Sequence, residues 1–517
     1  MIDKRKYAGD QTACAQRADD RQKKNMSDRN FRGGLDLVLL ARKAMLDAGF
    51  SPELPEAVLQ ELPAIRQASD RLGTDPTEAD FRNLLWSSID NPTSRDLDQI
   101  EFAERLPNGD IRILLGIADV DALVAKGSAT DLHAAQNGTS IYLGVVTFPL
   151  FPPEISNDMT SLLQDQDRQA VIIDVTLDAR GAVSAASVAK ATVRNRAKLN
   201  YDSVGAWLES TGKAPEEVEN TPGLADQLHL QFEAAKQFHE ERIRAGALEF
   251  ESIEPHPIMA GQNVSGLSLE RKNRARDLIE NLMVATNSAI ATFLEARGFP
   301  SIQRVVRTPE RWPRIVALAA EDGAQLPAAP DAVALAEFLA RRRRDDPEHF
   351  ADLSLAIVKL IGAAEYVVIA KGKATEGHFG LAVHDYTHAT APNRRYPDLV
   401  TQRLLKAAIK GARPPYSVDE LEEIVARCND RAKAARKIER LMRKIVAATF
   451  LSGRIGETFG AIVTGVSPKG TYVRVIDPPV EGRVVRGEAG IDVGEKVRVR
   501  LLGTIPERGF IDFAREN

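Results

Sequence analysis

Three carboxylates lie within nine residues in the segment 89–99, after an apolar run and beside turn-forming residues. Asp96 and Asp98 are two positions apart, so an extended backbone directs both side chains to one face. A turn at Asn91-Pro92 can fold Asp90 back toward them. Oxygen ligands placed close together are what Mg²⁺ prefers, with water or substrate completing its shell. The segment therefore predicts a Mg²⁺ site, with Mn²⁺ as a second candidate ion; a solvated acidic loop is the alternative.

The elements that must position these carboxylates belong to a mixed α/β domain that we predict over residues 81–452. The pattern of residues 82–195 predicts strands, among them 111–117 and 170–176, bounded by Asn-Gly and Arg-Gly turn signals. Residues 200–452 are predicted to be mostly helical, with the longest helices at 269–297 and 418–451. The acidic segment lies at the start of this domain.

The two ends of the chain differ from this middle part. Residues 1–30 are polar and lack a period, which predicts a disordered arm. Residues 31–80 carry two amphipathic stripes, which predict a small helical domain of helix-turn-helix type. Five short β-rich runs in residues 453–517 alternate with glycine or proline, which predicts a five-stranded OB-fold barrel. The predicted fold class is multidomain α/β.

Composition excludes several kinds of protein. The two cysteines, Cys14 and Cys428, are far apart and in no C-x-x-C pair, which excludes a disulfide framework and favours a cytoplasmic location. The chain contains no run of about 18 apolar residues, so no membrane span is predicted. The charged N-terminus predicts no signal peptide. The net charge of −5 means that any contact with nucleic acid needs a local positive surface.

Further motifs follow the acidic segment in a recognisable order, at 119–121, 127–131, 138–143, 148–158, 198–202 and 386–398. The last of them reads Tyr-Thr-His-Ala-Thr-Ala-Pro-Asn-Arg-Arg-Tyr-Pro-Asp. Together they resemble the catalytic domain of the RNase II (RNB) family, and the C-terminal runs resemble the S1-type RNA-binding domain. The resemblance implies a Mg²⁺-dependent, processive 3′→5′ exoribonuclease that attacks single-stranded RNA 3′ ends and releases nucleoside 5′-monophosphates.

The resemblance gives the acidic segment its roles. Asp90, Asp96 and Asp98 take three of the four metal-binding aspartate positions of the family, and Asp98 stands where the most activity-critical carboxylate is found. Gln99 stands at the fourth position. An amide oxygen can ligate Mg²⁺ but brings no negative charge, so we expect a weaker or more water-dependent second metal ion and reduced activity.

One arginine and one glutamate complete the implied catalytic set. Arg394 matches the family arginine that contacts the non-bridging phosphate oxygens, and its neighbour Arg395 is a candidate RNA contact. The alternative for both is a solvated basic turn. Glu439 falls where the family has a glutamate lining the site, although an ordinary ion pair with Arg443 is the alternative.

Aromatic residues are the implied RNA contacts. Tyr142 and Phe299 match the clamp that holds the last bases at the 3′ end, and Tyr201 matches a tyrosine near the ribose, consistent with recognition of the 2′-hydroxyl. In the C-terminal barrel, Phe459 and Tyr472 are expected to offer exposed stacking faces. The alternative is that these aromatics are core residues.

Two departures from the family layout leave other functions open. Gln99 is consistent with an RNA-binding regulator that keeps the fold but has lost turnover. A DNA nuclease with the same metal chemistry is a third candidate.

The helices predicted for residues 31–80 take the place of the two cold-shock barrels that typical members carry before the catalytic domain. This layout predicts tolerance of duplexes with 3′ overhangs. Digestion that always stalls several nucleotides before the duplex would contradict this prediction. We expect a monomer.

Overall fold

The computed structural model describes residues 35–516 apart from 73–78, 252–254, 262, 270–271, 374, 376 and 469. The predicted disordered arm, residues 1–30, lies outside the described residues. The helices are α1 (Leu37–Asp47), α2 (Glu56–Ser69), α3 (Ala129–Asn137), α4 (Tyr201–Leu208), α5 (Glu216–Asn220), α6 (Leu224–Arg244), α7 (Arg274–Ala296), α8 (Trp312–Glu321), α9 (Ala332–Asp345), α10 (Phe350–Ile361), α11 (Tyr396–Ile409) and α12 (Val418–Leu451).

The strands between the N-terminal helices and the C-terminal barrel are β1 (Ala79–Asp80), β2 (Trp86–Asp90), β3 (Gln99–Arg105), β4 (Ile111–Ala118), β5 (Ile141–Tyr142), β6 (Thr147–Phe148), β7 (Asp167–Leu177), β8 (Val183–Asn200), β9 (Pro255–Ala260), β10 (Asn263–Leu269), β11 (Ser301–Val305) and β12 (Glu365–Ile369). The C-terminal strands are β13 (Thr458–Ser467), β14 (Gly470–Val475), β15 (Glu481–Arg486), β16 (Lys496–Ile505) and β17 (Phe510–Glu516).

A six-stranded sheet in the order β1-β8-β2-β3-β4-β7 carries the acidic segment. The long strand β8 pairs antiparallel with β7 through its first part and parallel with β2 through its last residues. Helices α6 and α7 contact β3 and β8, so most positions of β2, β3 and β4 are buried. The acidic segment is the connection between the neighbouring strands β2 and β3.

A buried ionic network fastens α11 to the sheet. The Arg403 guanidinium, whose side chain is 4% exposed, donates to Asp121 at 2.9 Å and to Asp131 and the Tyr416 hydroxyl at 2.8 and 2.7 Å. Lys406 Nζ donates to Asp119 at 2.8 Å. The motifs at 119–121 and 127–131 therefore have a structural role, because they hold the helix that begins directly after Arg394 and Arg395.

The predicted N-terminal helices are present, and they pack on the α/β part of the chain that follows them. Gly49, at a φ of +79°, follows the end of α1, where a residue with a side chain would be strained. Leu37, Ala41 and Met45 of α1 share a core with α12 and with the β5–β6 hairpin. Ile65 of α2 belongs to the main core. The predicted domain boundary at residue 80 stays a prediction.

The predicted helix 418–451 corresponds to α12, which spans 34 residues. A capping box between Ser417 and Glu420 fixes its start. Glu439 lies half-buried on this helix, and several of its basic side chains are exposed. Those exposed basic residues include Arg427, Lys433, Arg436, Lys437 and Arg440.

Among the described helices, none is long and apolar enough to cross a membrane.

The five C-terminal strands close into a barrel in the order β13-β14-β15-β17-β16, which confirms the predicted OB-fold. Phe459 is 5% exposed and packs edge-on against Phe513, with 6.4 Å between the ring centroids. The expected exposed stacking face of Phe459 is therefore wrong, because this position of β13 points into the barrel. Tyr472 lies on the outside with 41% of its surface exposed.

The buried network around Arg403 makes a stability prediction. Replacing Arg403 with alanine leaves the buried Asp131 carboxylate without its charged partner, and such a loss costs about 3–5 kcal/mol. We expect a fall of this size in the free energy of unfolding measured with denaturant. Lys410→Ala, an exposed position at the end of the same helix, is the control; equal stability of the two variants would contradict the prediction.

Candidate functional site

The centre of the site is a pair between Asp98 and Arg394. Asp98 is the last residue before β3, and its carboxylate is fully buried. Its Oδ2 accepts from Arg394 Nε at 2.8 Å, and its Oδ1 accepts from the Asn393 backbone N–H at 3.1 Å. Burial raises the pKa of Asp98 to about 7; the Arg394 charge opposes this shift, and the charge of Asp96 adds to it.

Backbone pairing places Arg394 at this point. The Ser140 N–H donates to the Arg394 carbonyl at 2.9 Å, and the Tyr396 N–H donates to the Gly138 carbonyl, also at 2.9 Å. On the other side, Asn393 Oδ1 accepts from the Thr160 hydroxyl at 2.7 Å. Because the segment is held from both sides, the side chain of Arg394 is directed at the acidic segment.

Arg395 is directed elsewhere. Its guanidinium donates to Asp398 Oδ1 at 2.7 Å, and that carboxylate is fully buried at the start of α11. The same Asp398 oxygen accepts from the Ala391 N–H at 2.9 Å. These contacts stabilise the turn that carries Arg394. The predicted RNA contact by Arg395 stays a prediction, and the structure shows a positioning role for this residue.

Two residues that the sequence reasoning gave no role brace the acidic loop. Ser161 Oγ accepts from the Leu97 N–H at 3.0 Å and donates to the Arg95 carbonyl at 2.7 Å. Lys198 Nζ donates to the Ser94 carbonyl at 2.6 Å. Lys198 belongs to the family-like motif at 198–202, which was the available signal for it. These contacts fix the conformation of the loop.

The three predicted aspartates have their charges directed at Arg394. The charges of Asp98, Asp90 and Asp96 all act on its guanidinium. Asp90 Oδ1 also accepts from the Asn91 N–H and the Ser94 hydroxyl, both at 2.7 Å. Each carboxylate therefore has a partner within the protein, and one cation is shared among three anions.

These residues fit a hard divalent cation in kind, since they supply carboxylate oxygens and an amide. They do not form a ready-made cage: within the described part of the chain, no three His, Cys, Asp or Glu side chains are grouped closely enough to hold a metal ion. The predicted convergence of Asp90, Asp96 and Asp98 on one point is therefore absent from this arrangement.

Glu101 is a buried acidic residue near the acidic segment that the sequence reasoning missed. It lies on β3 directly opposite Ser87 of β2, with none of its surface exposed. Neither of its carboxylate oxygens has a hydrogen-bond partner among the described residues. Burial, and then the charge of Asp90, raises the pKa of Glu101 well above its ordinary value. The signal was a glutamate within a buried strand, two positions after Gln99, which is itself 4% exposed.

The aromatic candidates are placed differently. Tyr142, on β5, is 47% exposed, and its hydroxyl donates to Asp96 Oδ2 at 3.1 Å. Tyr201 is half-buried at the start of α4, with the Arg276 guanidinium 4.3 Å from its ring centroid. Phe299 follows the end of α7 and packs against the main core. The structure therefore brings Tyr142 directly to the acidic segment, and it places Phe299 as a partly buried residue.

Comparison with known proteins agrees with this arrangement. The family model described as RNB domain matches residues 78–411, and the one described as RNase II-type exonuclease C-terminal S1 domain matches residues 457–516. Ribonuclease R 1 of Lactococcus lactis is 28% identical over 492 residues, which cover 93% of this chain and 57% of that protein. Ribonuclease R of Thermotoga maritima is 28% identical over 451 residues, covering 84% and 61%.

A solved structure shows the same fold. Mycoplasma genitalium RNase R in complex with ribose methylated single-stranded RNA superposes with a TM-score of 0.81 at 21% identity, covering 93% of this chain and 78% of that one. The chain spans about three-fifths of the length of the curated relatives named above. The predicted fold class and the predicted family resemblance are confirmed.

The pKa of Asp98 makes metal binding dependent on pH. Below its pKa of about 7, a proton occupies the carboxylate that a cation needs, so the apparent affinity for Mn²⁺ rises with pH and levels off above pH 7. We expect binding about tenfold weaker at pH 6 than at pH 8 by calorimetric titration. Asp98→Asn should lose this dependence. Equal affinities of the wild type at the two pH values would contradict the prediction.

Proposed function

We propose that this chain, which belongs to the RNB domain family, is a divalent-metal-dependent, processive 3′→5′ exoribonuclease that degrades single-stranded RNA to nucleoside 5′-monophosphates. Nucleases of this family generally depend on a divalent metal ion; we propose Mg²⁺, with Mn²⁺ as a substitute. The observation that carries the proposal is the Asp98–Arg394 pair, which lies beside an exposed tyrosine that is hydrogen-bonded to Asp96.

The chemistry follows from the surroundings of this pair. Asp90, Asp96 and Asp98 would hold the ion, which when bound acidifies the attacking water and neutralises charge on the phosphate. Arg394 is bound to Asp98 through Nε while 44% of its side chain is exposed. Its terminal nitrogens are therefore able to face the non-bridging phosphate oxygens in a forked contact. Glu439, half-buried on α12, is proposed to line the same site.

The aromatic residues support attack on a single strand. Base stacking contributes about 1–3 kcal/mol per base and is insensitive to sequence, which suits a processive enzyme. Tyr142 is exposed beside the acidic segment and is proposed to stack on a terminal base, with Phe299 as the second side of the clamp. Tyr201 is proposed to lie near the ribose. The exposed Tyr472 is proposed to contact RNA outside the catalytic region.

An RNA-binding regulator without turnover is the second candidate. It is favoured by Gln99 at the fourth acidic position and by the lack of a preassembled group of three ligands within the described residues. Incubation with 5′-labelled poly(A) and Mg²⁺ separates the two, since a descending ladder indicates the enzyme and retention of intact RNA indicates the regulator. Equal degradation of DNA would indicate a nuclease of different specificity.

We further propose a cytoplasmic location, in keeping with the unpaired, buried Cys428. We also propose that the protein is a monomer.

The first activity prediction concerns Asp98. Replacing it with asparagine removes the carboxylate that binds Arg394 and is proposed to bind the ion, so we expect a loss of at least about 100-fold in the rate of the poly(A) ladder. Asp70→Asn, an exposed position after α2, should retain the wild-type rate. Wild-type degradation by Asp98→Asn would refute the proposed site.

The second activity prediction separates stacking from hydrogen bonding at Tyr142. Tyr142→Ala removes the ring, and we expect it to weaken binding of a single-stranded RNA 3′ end by about 1–3 kcal/mol. Tyr142→Phe removes only the hydroxyl that contacts Asp96 and should keep most of the affinity. Fluorescence anisotropy in Ca²⁺ measures both. Equal losses in the two variants would show that the hydrogen bond, not stacking, holds the RNA.

A further inference from the structure

Arg304 is a half-buried arginine whose strongest electrostatic neighbours include no carboxylate. It lies on β11 directly opposite Tyr366 of β12, and its guanidinium carbon is 4.4 Å from the centroid of the Tyr366 ring. Its Nη1 is buried and has no hydrogen-bond partner among the described residues. Burial lowers the pKa of Arg304, and the positive charges of Arg436 and Arg395 add to this shift. A cation in such surroundings costs folding free energy.

The two buried carboxylates of the neighbouring turn bind other arginines. Asp98 accepts from Arg394 at 2.8 Å, and Asp398 accepts from Arg395 at 2.7 Å. Both carboxylates are fully buried and engaged, so neither compensates the charge of Arg304. This part of the protein therefore has one more positive charge than its internal pairs use.

The position of Arg304 is fixed by contacts of the ring on which it lies. The Tyr366 hydroxyl is hydrogen-bonded to His388 Nδ1 at 2.8 Å. The backbone N–H and carbonyl of Tyr366 both pair with the side-chain amide of Asn429 on α12, each at 2.8 Å. The Arg304 guanidinium is thus held at a defined place beside α12.

Arg436 approaches the same place from α12. It lies seven residues after Asn429, about two helical turns and about 10 Å along the axis, so both residues are on one face of the helix. Helical side chains lean toward the N-terminus of their helix, which directs Arg436 back toward Arg304. Arg436 is exposed, and its charge acts on Arg304. One half-buried and one exposed guanidinium therefore border a common region.

Two like charges brought close together destabilise the free protein unless an anion lies between them. A phosphodiester group fits this place, because it carries one negative charge and offers two non-bridging oxygens to guanidinium groups. The place is also next to the proposed catalytic centre, since the charge of Arg395 acts on Arg304 and Arg395 is adjacent to Arg394 in the chain.

We infer that Arg304 and Arg436 together bind one backbone phosphate of the RNA strand, on the 5′ side of the nucleotide held at Arg394. This second phosphate site holds the strand through charge and not through base sequence. The inference rests on the proposed function, because it requires an RNA whose 3′ end lies at the acidic segment. A free phosphate ion offers the same oxygens, so the experiment has to distinguish the two sources.

The test uses the full-length protein, a fluorescein-labelled single-stranded oligo(A) and Ca²⁺, with affinity measured by anisotropy. Arg304→Gln and Arg436→Gln should each raise the Kd about tenfold. Each should also reduce the slope of log affinity against log salt concentration by about 0.7. Arg427→Gln is the matched control, since this exposed arginine lies nine residues before Arg436, on the opposite face of α12. It should keep the wild-type Kd and slope.

A double variant and a stability measurement separate a shared ligand site from a structural role. If both arginines hold one phosphate, Arg304→Gln/Arg436→Gln should raise the Kd by less than the product of the two single effects. Without RNA, Arg304→Gln should melt no lower than the wild type, because a cation without a carboxylate partner has been removed. Unchanged RNA affinity in either single variant overturns the inference, as does a lower melting temperature of Arg304→Gln with unchanged affinity.

Uncharged methylphosphonate linkages identify the bound phosphate. In the wild type, one such linkage at a single position of the oligo(A) should weaken binding about tenfold, and the same linkage should have no further effect in Arg304→Gln. No sensitive position, together with Arg304-dependent binding of inorganic phosphate, assigns the place to a free anion and overturns the inference. Asp98→Asn in the ladder assay still reports separately on the proposed function. If the wild type binds no RNA, both proposals fail.

Discussion

The contact between Asp98 and Arg394 joins parts of the chain that are 296 residues apart, and the geometry of the site depends on it. It lies between the residue directly before β3 and the turn before α11. Because the carboxylate is fully buried, any displacement of that turn would leave a charge without a partner in a region of low dielectric. Other contacts hold the two sides of this pair in place. Arg403 fastens α11, and Ser161 and Lys198 brace the acidic loop.

The site carries more negative than positive charge. Carboxylates at 90, 96 and 98 lie around one arginine whose charge they share. Such an excess of negative charge destabilises the folded protein unless it is compensated. Binding sites commonly carry this kind of cost, because groups arranged for a ligand are not arranged for the stability of the free protein. Burial is the main cause of the raised pKa values of Asp98 and Glu101, and a neighbouring carboxylate charge adds to each.

Much of the fold was predictable because the chain carries strong local patterns. The five C-terminal strands and the helix α12 were found from periodicity and turn residues. The order of the motifs placed Asp90, Asp98 and Arg394 in one site. Local patterns failed where the outcome depended on packing between distant segments. Alternation in β13 does not say which face barrel closure buries, so Phe459 was assigned to the wrong side.

Two other features of the site could not be read from local patterns, for similar reasons. Arg394 and Arg395 are identical neighbours in the sequence, and only the turn before α11 decides that one meets Asp98 and the other meets Asp398. Glu101 gave no motif signal, since the burial of its carboxylate depends on how β3 packs beside Ser87 of β2. The arrangement of the site therefore depends on contacts that no short segment records.

The hydrogen bond from Tyr142 to Asp96 links two events that are usually described separately. The hydroxyl of Tyr142 donates to an Asp96 oxygen that the proposed cation would use, and the proposed nucleobase would stack on the ring of the same tyrosine. A cation that draws Asp96 away releases the ring to reorient, and a base that captures the ring uncovers the oxygen. Linkage requires each of these ligands to change the affinity of the other by the same factor. Loading of the nucleic acid and loading of the ion would then be cooperative, so that neither half-filled state accumulates.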